Sequence, residues 1–319
     1  MAIYKGDNSK NIIFGSDNAD YIYGFGSDDK LFGLRGDDVI YGGDGNDILE
    51  GGDGNNKLYG GNGNDILMSG VFGSDTVYGD EGNDVLNDAS YAGFTNSTLI
   101  GGNGKDTIIG GFGKDKIILT ESTAATDKVI INPGDSKRYD FLTGENNNSF
   151  DTITGFSLGN GVTRTGVDKL DLSITTIATK TTGVDGINVG VIRSHVITNG
   201  IISFDDSNTF SSALSLTGNN LASVFTYLEN NFADKSTVAF IALGNTYVFQ
   251  GDGTTDDFFH NDTLIQFTGI TATNLNTNGL SAGGIWLVWP SKSQRFEVRT
   301  ERDGVCNFVL NVFELPTID

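Results

Sequence analysis

The first third of the chain carries a short, regular beat of apolar positions set between polar, glycine-rich turns. One apolar residue recurs about every nine positions: Ile13, Ile22, Leu31, Ile40, Leu49, Leu58, Leu67, Val77, Leu86, Leu99, Ile108 and Ile117. Two positions before it stands Asp20, Asp29, Asp38, Asp47, Asp65, Asp75, Asp84, Asp106 or Asp115, with Asn11, Asn56 and Ser97 as the exceptions. Nine residues are too few for a helical pair and contain no heptad. The triplet around each apolar residue, such as "ILE" or "VIY", predicts a very short strand with one side chain turned inward. The six residues between, such as "GGDGND", predict a turn, because glycine takes positive φ freely and Asp and Asn tolerate it. One copy cannot bury its lone apolar side chain, whereas stacked copies form a continuous column of Ile, Leu and Val.

Copies start at Gly6, Gly15, Gly24, Gly33, Gly42, Gly51 and Gly60. After an extra residue, Ser69, they resume at Gly70 and Gly79, and after a degenerate stretch at 88–100 two more begin at Gly101 and Gly110. That makes eleven recognisable copies and one degraded one. The insertions at Ser69 and 88–91 are expected to bulge outward or break the coil.

Composition sharpens this picture. The chain has 319 residues, 45 of them glycine, and 41 acidic against 20 basic residues give a formal net charge of −21. An acidic surface is a poor match for nucleic acid and attracts cations instead. The 21 Phe and 10 Tyr argue for ordered structure rather than a disordered acidic tail. Cys306 is the lone cysteine, which excludes an intrachain disulfide and a thiolate metal cluster. No apolar run reaches the ~18–20 residues of a membrane span, and "MAIYKGDNSKNIIFG" has no apolar leader core.

Stacking also lines up the acids. Strands ~4.8 Å apart would set carboxylates where they repel by roughly 1 kcal/mol in water, and several-fold more where water is partly excluded. Such a row requires a counter-ion. Carboxylates joined by turn carbonyls make a hard-oxygen site that suits calcium, with six to eight flexible ligands, better than magnesium.

"GGDGNDILE", "GGNGNDILM" and "GGNGKDTII" fit G-G-x-G-x-D-x-U-x in full. Residues 6–118 therefore resemble the RTX family, the hemolysin-type calcium-binding repeats of proteins exported by type I secretion. The resemblance implies a right-handed parallel β-roll with two nonapeptides per turn, in an all-β chain with a mostly β C-terminal domain. It implies calcium ions between turns on one edge, held by the position-six acids Asp20, Asp29, Asp38, Asp47, Asp65, Asp75, Asp84, Asp106 and Asp115. It also implies ligands from the turns, here Gly24, Gly26, Gly33, Gly42, Gly51, Gly60, Asp44 and Asn62. Copies two apart share an ion, so one edge carries Asn11, Asp29, Asp47, Asp65, Asp84 and Asp106. The other carries Asp20, Asp38, Asn56, Asp75, Ser97 and Asp115. The best sites are expected between Asp29 and Asp47, Asp47 and Asp65, Asp65 and Asp84, and Asp20 and Asp38, with Asn56 a weak point.

Beyond Leu119 the period is lost. Residues 119–199 read as a roll-closing and connecting region. Within it "FDTITGFSLGNGVTRTGVDKLDLS" resembles the segment that often closes RTX arrays, with Asp151, Phe156, Asp168 and Asp171 at its marked positions and Asp168 and Asp171 as further candidate calcium ligands. Residues 200–278 alternate strand-like runs with turns around one amphipathic helix in "TGNNLASVFTYLENNF", with Leu221, Val224, Phe225 and Leu228 on one face. This part looks like the C-terminal domain of bacterial RTX surface proteins that carries or adjoins an uncleaved secretion signal. Residues 279–319 are a divergent tail holding Trp286, Trp289, Cys306, Lys292, Arg295, Arg299 and Arg302.

The histidines are His195 and His260, and there is no H-E-x-x-H. "GLSAG" matches G-x-S-x-G at Ser281, yet polar "TATNLNTN" precedes it and no histidine follows. The expected protein is thus no enzyme. It is a calcium-binding surface or matrix protein, extracellular or on the cell surface, that meets a type I exporter and folds on calcium outside. The alternative is the C-terminal calcium-binding and secretion portion of a larger toxin, protease or polysaccharide-modifying enzyme. Met1, five residues before the first repeat, favours the former.

Overall fold

A computed structural model describes residues 1–88, 95–123, 125–131, 151–156, 168–172, 176–178, 181, 183–198, 200–232, 236–251, 263–270, 294–295 and 313–314. The chain divides into two units. The first comprises Met1–Ser136, Ser149–Ser157 and Thr165–Lys169; the second comprises Lys137–Asn148, Leu158–Arg164 and Leu170–Asp319.

The first unit is a coil of very short parallel strands. They are β1 (Ile3–Lys5), β2 (Ile12–Phe14), β3 (Tyr21–Gly26), β4 (Lys30–Phe32), β5 (Val39–Asp44), β6 (Ile48–Glu50), β7 (Lys57–Asn62) and β8 (Ile66–Met68). Then come β9 (Thr76–Glu81), β10 (Val85–Asn87), β11 (Thr98–Ile100), β12 (Thr107–Ile109), β13 (Lys116–Ile118), β14 (Lys128–Ile131) and β15 (Asp151–Thr154). Odd strands pair only with odd and even only with even, so each turn holds two nonapeptides and places them in two facing rows. The register keeps every apolar position eight on its counterpart: Ile22 on Ile40, Ile40 on Leu58, Leu58 on Val77. The other row does the same, Leu31 on Leu49 and Leu49 on Leu67. These residues are fully buried from Ile22 to Ile117, and Val129 and Ile153 extend the column. Each contributes on the order of 1.5–3 kcal/mol by leaving water.

The two insertions do not break the coil. Ser69, expected to bulge, is fully buried. Its amide bonds to the Asn87 carbonyl as Gly51's bonds to that of Met68, so Ser69 holds position one of its copy. Gly54 donates to the Phe72 carbonyl as Gly36 does to that of Asp53, which puts Phe72 at position three. The added residue is therefore Val71, in the turn. Asp88 likewise takes position one, its amide bonded to the Ile109 carbonyl, and it too is buried; 89–94 lie outside the described residues. Pairing then skips 22 residues at Asp84–Asp106 without loss of register. The coil also outlasts the sequence period, since β12 pairs with β14 and β13 with β15.

After β16 (Lys169–Leu172), the second unit holds β17 (Thr176–Ile177), β18 (Val184–Val189), β19 (Ile192–Thr198), β20 (Ile201–Asp205), α1 (Gly218–Asn231), β21 (Ser236–Ala242), β22 (Asn245–Gln250) and β23 (Thr263–Phe267). Strands β18 to β20 are antiparallel, as are β21 to β23, and β20 meets β21 in parallel. A parallel step needs a crossover, and α1 is part of it. Its buried face is Val224, Phe225, Tyr227 and Leu228, with Leu221 half-buried. That matches the helix and the stripe expected from the 3.6-residue spacing, with Tyr227 added.

Candidate metal centre

The turns form two ladders of position-six residues. In the first, Asp29 Oδ1 accepts from the Asn11 amide, Asp47 from Asp29, Asp65 from Asp47, Asp84 from Asp65 and Asp106 from Asp84, at 2.7–2.8 Å. In the second, Asp38 Oδ1 accepts from Asp20, Asn56 from Asp38, Asp75 from Asn56, Ser97 Oγ from Asp75 and Asp115 from Ser97. These are the two edges set out by alternating the copies. Both continue past the nine-residue period, through Asp168, already a candidate ligand from the sequence, and through Asp127 and Asp151, which sequence reading did not place on the ladders. Asp106 donates to Asp127 and Asp127 to Asp168, at separations of 21 and 41 residues, and Asp115 donates to Asp151 across 36. The available signal was the triplet of acid, any residue and apolar residue in "DKV", "DTI" and "DKL".

One carboxylate oxygen per acid is thus used. The other is the problem. Oδ2 of Asp29, Asp38, Asp47, Asp65, Asp84, Asp106 and Asp127 is buried with no hydrogen-bond partner. Such an atom costs about 1–3 kcal/mol, more when charged. Its surroundings are acceptors as well. A Cβ on Gly42 would lie 2.4 Å from Asp47 Oδ2 and 2.5 Å from the Gly60 carbonyl oxygen. The same crowding recurs at Gly24, Gly33 and Gly60, which explains glycine at position one. At Gly51 the neighbours are the Ser69 carbonyl and the Asn56 side chain.

Asn56 shows what that space accepts. Its amide nitrogen donates to the carbonyls of Gly52 at 3.1 Å, Gly54 at 3.2 Å and Ser69 at 3.5 Å. A donor group sits among three carbonyl oxygens. Where position six is Asp, a carboxylate oxygen takes the place of that donor, and it needs a bound cation or a proton to satisfy the acceptors around it.

Electrostatics follow. Burial, with the neighbouring acids adding, pushes Asp38, Asp47 and Asp106 up to about 6 and Asp65 up to about 7. Burial raises Asp75 to about 7 and Asp84 to about 8. Asp29 is raised for the same reason. Asp20 goes the other way: burial is its largest single influence, yet the Ser16 hydroxyl, the Ala2 and Ser16 amides and the N-terminal charge together outweigh it. The Ser16 amide and hydroxyl reach Asp20 Oδ2 at 2.8 and 2.6 Å.

Other candidates fall elsewhere. Asp44 and Asn62 are exposed and bond to each other at 2.7 Å outside the ladders, and the Asn62 carbonyl is taken by the Gly45 amide. A Cβ on Gly26 would lie 3.7 Å from Asn8 Oδ1 and meet no acid. At the degenerate turn the carboxylate has moved. Ser97 holds position six, while Asp88 at position one brings its Oδ1 to 2.7 Å from the Ser69 hydroxyl. His195 is buried against Tyr227 and Phe232, its Nδ1 2.9 Å from the Tyr227 hydroxyl, and burial pushes it down to about 4. His260 and Ser281 lie outside the described residues.

A search of curated proteins finds no match to the chain. The family model of the RTX calcium-binding nonapeptide repeat matches four stretches, 5–40, 41–72, 68–87 and 87–117. The coil with its two acid ladders is therefore, over residues 5–117, an array of RTX calcium-binding nonapeptide repeats.

Proposed function

We propose that the position-six acids are the calcium ligands and that calcium is the folding switch of an exported, non-catalytic protein. The observation that supports this most directly is the contrast between Asn56 and its Asp counterparts. Without a donor or a cation, buried carboxylate and carbonyl oxygens oppose each other along both edges. In a cell interior poor in calcium the acidic coil stays open and can pass an exporter. Outside, calcium near the millimolar range neutralises the ladders, and its binding free energy adds to folding. Extracellular modules need only ~10⁻⁴–10⁻³ M affinity for this. Asp29, Asp47, Asp65 and Asp84 on one edge and Asp38 on the other hold the ions with turn carbonyls; Asp20, whose Oδ2 already accepts from the Ser16 amide and hydroxyl, is the weakest of the expected ligands.

Circular dichroism with and without EGTA tests the switch. The β signal should rise with calcium, and an unchanged signal would sink the idea. Asp47→Ala, which removes a ligand shared by two sites, should raise the calcium midpoint several-fold. Export is tested separately, by whether residues 260–319 carry a fused reporter out through a type I exporter.

A further inference from the structure

At the end of the first ladder, past the matched repeats, three carboxyl groups converge. One oxygen each from Glu121, Asp127 and Asp168 lies within 4.8 Å of the other two. The turn that carries the first two, "LTESTAATD" at 119–127, contains no glycine. Among its described residues none has positive φ. Earlier turns use glycine to aim carbonyl oxygens at the position-six side chain, as Gly52 and Gly54 do at Asn56. This turn cannot take that conformation cheaply. It offers a side-chain carboxylate instead. Glu121 is held in place by the Ala125 amide, which reaches its two oxygens at 3.2 and 2.9 Å.

A second observation points to a ligand. Asp127 is fully buried. Its Oδ1 accepts from the Asp106 amide at 2.9 Å, while its Oδ2 has no hydrogen-bond partner. Burial, with Asp168, Asp106 and Glu121 adding, pushes Asp127 up to about 8. Three carboxylates so close favour a hard divalent ion, and an all-oxygen set of flexible side chains suits calcium better than magnesium, which demands a near-ideal octahedron and keeps its waters.

We propose that Glu121, Asp127 and Asp168 hold a further calcium ion, with a glutamate carboxylate standing in for the turn carbonyls of the repeats. The ion ties residue 127 to residue 168 and so closes the 41-residue excursion between them. This rests on the calcium reading of the repeats, and the test separates the two.

Equilibrium dialysis of the full chain counts bound calcium, and hydrogen exchange reports protection at 125–131 and, as a reference, at 57–62. Glu121→Gln should lose one ion per chain, or weaken one at least tenfold, and lose calcium-dependent protection at 125–131 alone. Asp168→Asn should do the same, which covers the case that one variant folds poorly. Unchanged stoichiometry and affinities in both variants overturn the site while leaving the repeats intact. Protection lost equally in both stretches overturns it as a separate site. A wild-type chain that binds no calcium overturns both readings.

Discussion

Asp and Asn meet the same carbonyl oxygens with opposite needs. The amide of Asn56 donates to Gly52 and Gly54, whereas Asp47 Oδ2 has nothing to accept from. Asp47→Asn should therefore stabilise the calcium-free coil by about 1–3 kcal/mol and raise the calcium midpoint; thermal melts in calcium-stripped buffer and a calcium titration check the two halves. Asn56→Asp should do the reverse, binding one more ion while destabilising the metal-free chain. Equal melting of N56D and wild type without calcium would remove the argument. Backbone strain is a separate matter. Leu34 has φ +80° where copies such as those with Gly43, Gly52 and Gly61 have glycine, and it is 43 % exposed. Leu34→Gly should gain about 1 kcal/mol, read as a higher melting temperature with and without calcium. The acid at each of these positions was legible from the nine-residue period. The exchange of glycine for Ser69 and Asp88 at position one was not, because only the backbone hydrogen bonds show which residue sits there.

Along each ladder the acids act as a set. In the metal-free coil Asp38, Asp47 and Asp106 titrate at about 6, Asp65 and Asp75 at about 7, and Asp84 and Asp127 at about 8, against 3.8 for a free Asp. The folded values lie above the unfolded one, so the folded coil binds protons that the unfolded chain has released. That stabilisation is complete below about pH 4 and is lost as pH rises through 6 to 8. Calcium-stripped protein should melt at a higher temperature at pH 5 than at pH 8. Calcium should reverse the trend, since proton and ion compete for the same oxygens. The net charge of −21 acts in the same direction; Asp65→Asn isolates the ladder, because it should flatten the slope more than Asp44→Asn, which lies outside.

At the scale of the molecule the two units have different supports. The second has an apolar core of its own, with Phe240 stacked on Tyr247 at 5.0 Å and Phe204 and Phe225 against the same rings. Buried aromatics of this kind need no ion to pack. Removing calcium should cost the first unit its strands and leave α1 folded. Hydrogen exchange at 224–228 checks this: protection lost together with that at 57–62 would mean that the units depend on calcium alike. The helix was legible because its apolar spacing is local. The strand order around it was not, since β20 and β21 meet across the whole of α1.

The sequence by itself determined the repeating unit: one inward apolar residue, an acid two places before it, and turns that only glycine, Asp and Asn form easily. Those are properties of nine consecutive residues, and they recur often enough to be read directly. Tertiary structure decided where the coil ends. Asp127, Asp151 and Asp168 join the ladders after gaps of 21, 36 and 41 residues, with no period to mark them. The reason is physical. A strand is accepted onto the growing edge if its acid and apolar side chain fall into register, and the chain between successive strands can be any length that closes.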